Sequence, residues 1–201
     1  MLEVKDATIT VGGKTLVKGL SLIANDGQMT CITGAEGAGK TTLLRTLMGF
    51  VPVESGFVSV DGELLTVASA HAFRRLMIYL PQEIRLLGHQ LKAPEMPVCE
   101  EDEYAVWNQA ILPSAVKAEV PEPLSPEAIC ELAGKTIREA SDRPIVIADE
   151  PAANLTPELT EQLMAMLSEQ ARAGKTVLVA TRKPQLLARA DLVLNLDTLK
   201  G

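Results

Sequence analysis

The chain has 201 residues, 47% of them hydrophobic and 22% charged, with a formal net charge of −7. That suffices for one sizeable core, and the acidic balance argues against nonspecific nucleic-acid binding. Aromatic residues make up only 3% of the chain, which leaves little for base-stacking platforms. No apolar run reaches the ~18 residues needed to cross a bilayer, and the charged, alternating start Met1–Asp6 does not read as a signal peptide. The cysteines Cys31, Cys99 and Cys130 form no C-x-x-C pair, which fits a reducing compartment and no zinc site. No internal repeat or low-complexity segment is present.

In chain order, residues 2–11 partly alternate and are rich in β-branched residues, which predicts a strand. Val11-Gly12-Gly13-Lys14 is a hairpin turn, Thr15–Ala24 the return strand and Asn25-Asp26-Gly27 a second turn. Met29–Thr33 is a short strand and Thr42–Met48 a helix. A loop around Pro52, Ser55 and Gly56 leads to a strand Phe57–Val60, a turn Asp61-Gly62, a helix Ala68–Arg75 and a buried strand Met77–Leu80. From Glu83 to about Glu122 the chain changes character, with Pro94, Pro97, Pro113, Pro121 and the acidic run Glu100–Glu103. This reads as a small irregular subdomain with one helix, Glu101–Ile111, packing Trp107 on its apolar side and bearing the acidic run near its start.

Ser125-Pro126-Glu127 is a helix start, with Ser125 as cap and Pro126 at the first helical position. That helix runs to about Ala140, and Asp142-Arg143-Pro144 breaks it. Ile145–Ala148 is a fully apolar strand, followed by a helix Pro157–Ala173 with Leu159, Leu163, Met166 and Leu167 on one face and Gly174 as its cap. Thr176–Ala180 is another buried strand, Pro184–Ala190 a short helix and Leu192–Leu196 a last strand. Apolar strands alternating with helices imply an α/β fold with a mostly parallel core sheet, to which the N-terminal hairpin adds an antiparallel β portion.

Two motifs carry chemistry. Gly34-Ala35-Glu36-Gly37-Ala38-Gly39-Lys40-Thr41-Thr42 fits the G-x-x-x-x-G-K-[ST] pattern between a strand and a helix. Its glycines let backbone N–H groups approach phosphate oxygens, Lys40 supplies an ammonium for the β- and γ-phosphates, and Thr41 supplies a hydroxyl for Mg²⁺. The positive end of the following helix faces the same anion. The second motif is Asp149-Glu150 at the end of an apolar strand. Asp149 there can hold Mg²⁺ through its water shell, and Glu150 can take a proton from an attacking water.

On these residues the sequence resembles the ATP-binding cassette (ABC) ATPases, the motor subunits of ABC transporters, over essentially its whole length. Gly34–Thr42 matches their Walker A loop, Tyr79-Leu80-Pro81-Gln82 their Q-loop, Ile145–Glu150 their Walker B strand and Ala152–Thr156 their D-loop. The resemblance implies a P-loop NTPase fold in one domain, 1–201, with residues 1–82 and 141–201 as catalytic core and about 83–140 as a small helical subdomain. It implies ATP and Mg²⁺ as cofactors, with Gln82 touching the metal and coupling to the membrane partner. It implies a membrane-spanning transporter subunit as partner, a homodimer or heterodimer with another ABC ATPase, and a place at the cytoplasmic face of the inner or plasma membrane.

Four positions depart from the family pattern. The signature Leu-Ser-Gly-Gly-Gln aligns with Leu124-Ser125-Pro126-Glu127-Ala128. Pro126 has no N–H to offer a γ-phosphate. Glu127 adds a charge that, about 5 Å from a phosphate at an effective dielectric near 20, costs roughly 3 kcal/mol, or about two orders of magnitude in affinity. The switch histidine falls on Arg182, which can hold the γ-phosphate or pair with Glu150 and mask the base. The D-loop aspartate is Thr156, and the aromatic that stacks on adenine falls near Val11. His71 and His89 lie outside the family's motif positions and read as surface or loop residues. Three functions follow: an ATP-hydrolysing transporter subunit, a weakly hydrolysing partner of a complete cassette, and a soluble ABC-type regulatory module.

Overall fold

The apolar strand that ends in Asp149-Glu150 lies at the heart of the fold. In the computed structural model, which describes residues 1–82 and 124–199, it is Ile145–Asp149 (β7), buried at every residue. Ile145 and Ile147 enter one hydrophobic cluster, and Val146 and Ala148 enter another. Strand geometry sends alternate side chains to opposite faces, so a sheet covered on both faces selects a continuous apolar run.

The remaining strands are β1 (Leu2–Val11), β2 (Lys14–Ala24), β3 (Met29–Thr33), β4 (Ser55–Val60), β5 (Glu63–Leu64), β6 (Met77–Leu80), β8 (Thr176–Ala180) and β9 (Leu192–Asn195). The helices are α1 (Lys40–Leu47), α2 (Ala70–Arg75), α3 (Pro126–Glu139), α4 (Pro157–Arg172) and α5 (Pro184–Leu187), with a 3-10 turn at Leu196–Leu199. A parallel sheet has the order β6-β7-β8-β3-β9, and a separate antiparallel sheet the order β2-β1-β4-β5. α1 contributes Leu43, Leu44 and Leu47 to the cluster shared by the two sheets. α3, α4 and α5 cover the other face through Ala133, Ile137, Leu163, Leu167 and Leu186.

The α/β class and its mostly parallel core sheet are as the sequence implies; the N-terminal hairpin, however, is half of a sheet of its own. β1 is bulged between Lys5 and Thr8 where it pairs with β4. Asp6 adopts φ 47 there, and its backbone N–H donates to Ser21 Oγ at 3.0 Å. Gly56 fills the space beside the bulge: a Cβ at its φ of +77 would stand 2.3 Å from the Lys5 carbonyl oxygen.

Both proline-led helices start as the sequence predicts, with Ser125 Oγ accepting from Ala128 N–H and Thr156 Oγ1 accepting from Leu159 N–H. α5 is shorter than the predicted Pro184–Ala190. After Leu187 the backbone turns with hydrogen bonds from Arg189 to Leu186 and from Ala190 to Leu187. Asp191 must then meet the start of β3, where its carboxylate accepts from Met29 N–H at 2.8 Å. The strand predicted at Leu192–Leu196 ends at Asn195, and Leu196 opens the 3-10 turn. The helix Glu101–Ile111, Trp107, the acidic run, Cys99 and His89 lie outside the described residues. His71 is exposed, and Cys31 is fully buried, its thiol pushed up to about 12 by that burial.

Candidate active site

Adjacent strands β6, β7, β8 and β3 end on one edge, the carboxyl edge where open α/β sheets hold ligands. β3 feeds the glycine loop and α1, β7 ends at Asp149, β8 leads to Thr181-Arg182 and β6 to Pro81-Gln82. Of the predicted site residues, Glu36 to Thr42, Gln82, Glu150 and Arg182 line one cleft of about 280 Å³, joined by Leu16. Val11 is absent from that lining; it sits 47% exposed at the end of β1. Gly34 and Ala35 form the back of the loop, where Ala35 N–H donates to Asp197 Oδ2 at 2.8 Å.

Gly39 stands at the amino end of α1 with φ 94 and no side-chain cap. A Cβ there would make only an ordinary contact with Leu16 Cβ at 3.4 Å, so it is the left-handed backbone that favours glycine at this position. The first turn of α1 therefore presents amide N–H groups that no cap side chain claims, an arrangement suited to an anion. Lys40 folds back over the loop, donating to the carbonyls of Gly34 at 3.0 Å and Ala35 at 3.2 Å. Its Nζ also lies 3.7 Å from Glu150 Oε1.

Asp149 is 2% exposed. Burial pushes its carboxyl up, against a hydrogen bond from Thr41 and the positive charges of Arg45 and Lys40. Its Oδ1 is buried without a hydrogen-bond partner. An orphaned buried acceptor costs about 1–3 kcal/mol, and a hard divalent cation is the group an unpaired carboxylate oxygen beside a threonine hydroxyl fits. Burial, with the Asp149 charge adding to it, also pushes the Tyr79 hydroxyl up to about 12.

Glu150 departs from the strand. Its N–H still bonds the Ala180 carbonyl at 2.8 Å, but its φ of 44 is left-handed, a conformation costing a non-glycine residue about 1–2 kcal/mol. The turn carries its carboxylate into the cleft. Arg182 meets it there, Nε to Oε1 at 3.5 Å, and reaches Glu36 Oε2 through Nη1 at 3.6 Å.

Leu124 to Ala128 do not line this cleft; they start α3, which packs against α4 and β6. Leu16, Asp197 and the Glu36–Arg182 pairing are absent from the sequence reading. For Asp197 a signal exists: Asn195 and Thr198 flank it in a turn, Asn195 Oδ1 accepting from Asp197 N–H. Leu16 carries no mark beyond ordinary strand alternation.

The model of the family described as ABC transporter matches residues 17–153. An ABC transporter ATP-binding/permease protein of Mycobacterium tuberculosis is 31% identical over 207 residues, covering 96% of this chain and 24% of that protein. The methionine import ATP-binding protein MetN of Brucella abortus is 27% identical over 212 residues, covering 98% of this chain and 57% of that protein. The chain thus spans about a quarter of one curated relative and little more than half of the other. A nucleotide-free ATP-binding cassette from an ABC transporter shares the fold, with a TM-score of 0.67 at 18% identity over 98% of this chain and 88% of that one.

Proposed function

The chain belongs to the ABC transporter family, and from that premise we propose that it is an ATP-binding and ATP-hydrolysing subunit, powering transport through a membrane-spanning partner. The observation that supports this best is the meeting of Lys40, Thr41, Gln82, Glu150 and Arg182 in one cleft with Asp149 buried beside it. In this reading the loop N–H groups and Lys40 hold the β- and γ-phosphates, and Leu16 offers the base apolar contact. Thr41, Gln82 and Asp149 are the residues to hold Mg²⁺, which supplies charge neutralisation at the phosphates. Glu150 takes the proton of the attacking water. The water oxygen bonds to the γ-phosphorus as the bond to the β–γ bridging oxygen breaks, giving ADP and inorganic phosphate. Arg182, always charged and only a donor, takes the histidine's place beside the γ-phosphate. The chain then works as a dimer at the cytoplasmic face of a membrane; among the described residues no helix is long and apolar enough to cross one.

One observation favours a second reading, a weakly hydrolysing partner of a complete cassette. The hydroxyl of Ser125, the one signature residue retained beside Leu124, already accepts from its own helix at Ala128 N–H. Pro126 and Glu127 follow it with no donor and a negative charge. A second copy offering this segment across a dimer would serve ATP poorly.

ATP turnover by the purified chain, alone and with a membrane protein encoded beside it, tests the proposal. Turnover that rises cooperatively with protein concentration supports the hydrolysing subunit and sinks the second reading. Binding of Mg-ATP with no turnover under either condition removes the first.

A further inference from the structure

The phosphate loop carries a carboxylate of its own. Glu36 is 91% exposed, and its Oε2 lies 3.6 Å from Arg182 Nη1. The same guanidinium reaches Glu150 Oε1 through Nε at 3.5 Å, and Glu150 is only 13% exposed. All three side chains line the cleft, and Lys40 Nζ lies 3.7 Å from the same Glu150 Oε1. Two cations therefore face two carboxylates, and a phosphate oxygen reaches either cation only in competition with a carboxylate already paired to it.

The two contacts of Arg182 are unequal. Water screens the outer pair with Glu36, while Glu150 holds its end in a lower effective dielectric. The Glu36 contact is thus the weaker of the two and the one a competing anion displaces first. A β-phosphate is served by Lys40 and the loop amides; a γ-phosphate extends toward Glu150 and Arg182. We propose that Glu36 is a positioning residue that brakes triphosphate binding: it clasps Arg182 across the mouth of the cleft, and the γ-phosphate must displace it. A diphosphate leaves the clasp shut. This rests on the nucleotide reading above.

Calorimetric titration with Mg-ADP and with the magnesium complex of the imido analogue of ATP tests it, in the unaltered chain, Glu36→Gln, Arg182→Ala and the double variant. Thermal unfolding without nucleotide checks that each variant is folded. Glu36→Gln is expected to tighten the triphosphate analogue about threefold or more, the scale of an exposed ion pair, and to change ADP by less than about twofold. In the Arg182→Ala background the same substitution is expected to leave the triphosphate gain below about twofold. Glu36→Asp, which keeps the charge but shortens the reach, should behave as Glu36→Gln. Equal triphosphate gains in both backgrounds, or equal gains for ADP and the analogue, overturn the clasp alone. Failure of the unaltered chain to bind either nucleotide overturns the nucleotide reading and the clasp with it.

Discussion

Lys40 Nζ and Glu150 Oε1 stand 3.7 Å apart with 9% and 13% of their side chains exposed, so opposite charges tie the glycine loop to the end of β7. A phosphate entering the cleft competes with Glu150 for Lys40 and is repelled by it. Two unit charges about 5 Å apart at an effective dielectric near 20 interact by roughly 3 kcal/mol. Glu150→Gln should therefore tighten Mg-ATP by about tenfold or more while lowering turnover by at least about a hundredfold through loss of the general base. Filter binding and phosphate release measure the two effects; weaker binding would show that the carboxylate's main role is to hold Lys40 in place.

Asp149 gives a prediction on stability. Its folded-state carboxyl sits above the ordinary value because of burial, so the folded chain holds that proton more tightly than the unfolded one. Stability is accordingly lost as pH rises from the unfolded value of 3.8 to the raised folded one, and above it the buried charge is a standing cost. At neutral pH, without Mg²⁺ or nucleotide, Asp149→Asn should be more stable by about 1 kcal/mol, seen as a Tm roughly 2–4 °C higher. In the same variant the extra Tm gained from Mg-ATP over ATP with EDTA should vanish. A lower Tm would refute the cost assigned to the buried carboxylate.

These elements differ in how far the sequence discloses them. The glycine loop, β7 and β8 are legible because their determinants are local: glycine and lysine spacing in one, unbroken apolar runs in the others. The cap at Ser125 is local too, as is the one at Thr156, which the D-loop resemblance hides. The clasp between Glu36 and Arg182 is not, because it depends on β3 and β8 lying side by side in the parallel sheet, an order that no short segment encodes. Length also misleads where tertiary contacts override propensity. α5 stops at Leu187 so that Asp191 can bond Met29, and β5, two residues long, is too short to leave a periodicity. Val11, where the family's adenine-stacking aromatic falls, stays out of the cleft, whereas Leu16 on β2 lines it and lies against Gly39 of the loop.

Asp197 bonds Ala35 N–H at 2.8 Å from the far end of the chain, fixing the back of the phosphate loop. Asp197→Ala should weaken Mg-ATP binding by roughly threefold to tenfold, the range of one partly exposed charge-assisted hydrogen bond, while Asp197→Asn, which keeps an acceptor, recovers most of the affinity. Amide exchange at Ala35 should quicken in the first variant and not in the second. Unchanged exchange would remove Asp197 from the support of the loop.

Gly56 and Gly62 separate two costs of adding a methyl group. At Gly56, φ +77, the new Cβ would meet the Lys5 carbonyl at 2.3 Å; at Gly62, φ +84, it meets nothing within 4 Å. Gly62→Ala should cost about 1 kcal/mol from its left-handed backbone alone. Gly56→Ala should cost about 3 kcal/mol or more, because the β1–β4 pairing must also give way. Urea denaturation of the pair measures the difference, and equal midpoints would mean the bulge at Asp6 yields freely.

Asp149 and Glu150 are neighbours of the same chemical kind, yet one dihedral angle, the left-handed φ of Glu150, gives them separate worlds. One carboxylate answers to the interior and the other to whatever enters from solvent. Their roles are therefore not interchangeable labels on a dipeptide. Reversing the order to Glu-Asp would keep composition and charge but put the longer side chain at the buried position and the shorter one where the carboxylate must reach the cleft. A single-residue insertion between them would do worse, since the handed turn would then carry the wrong side chain outward.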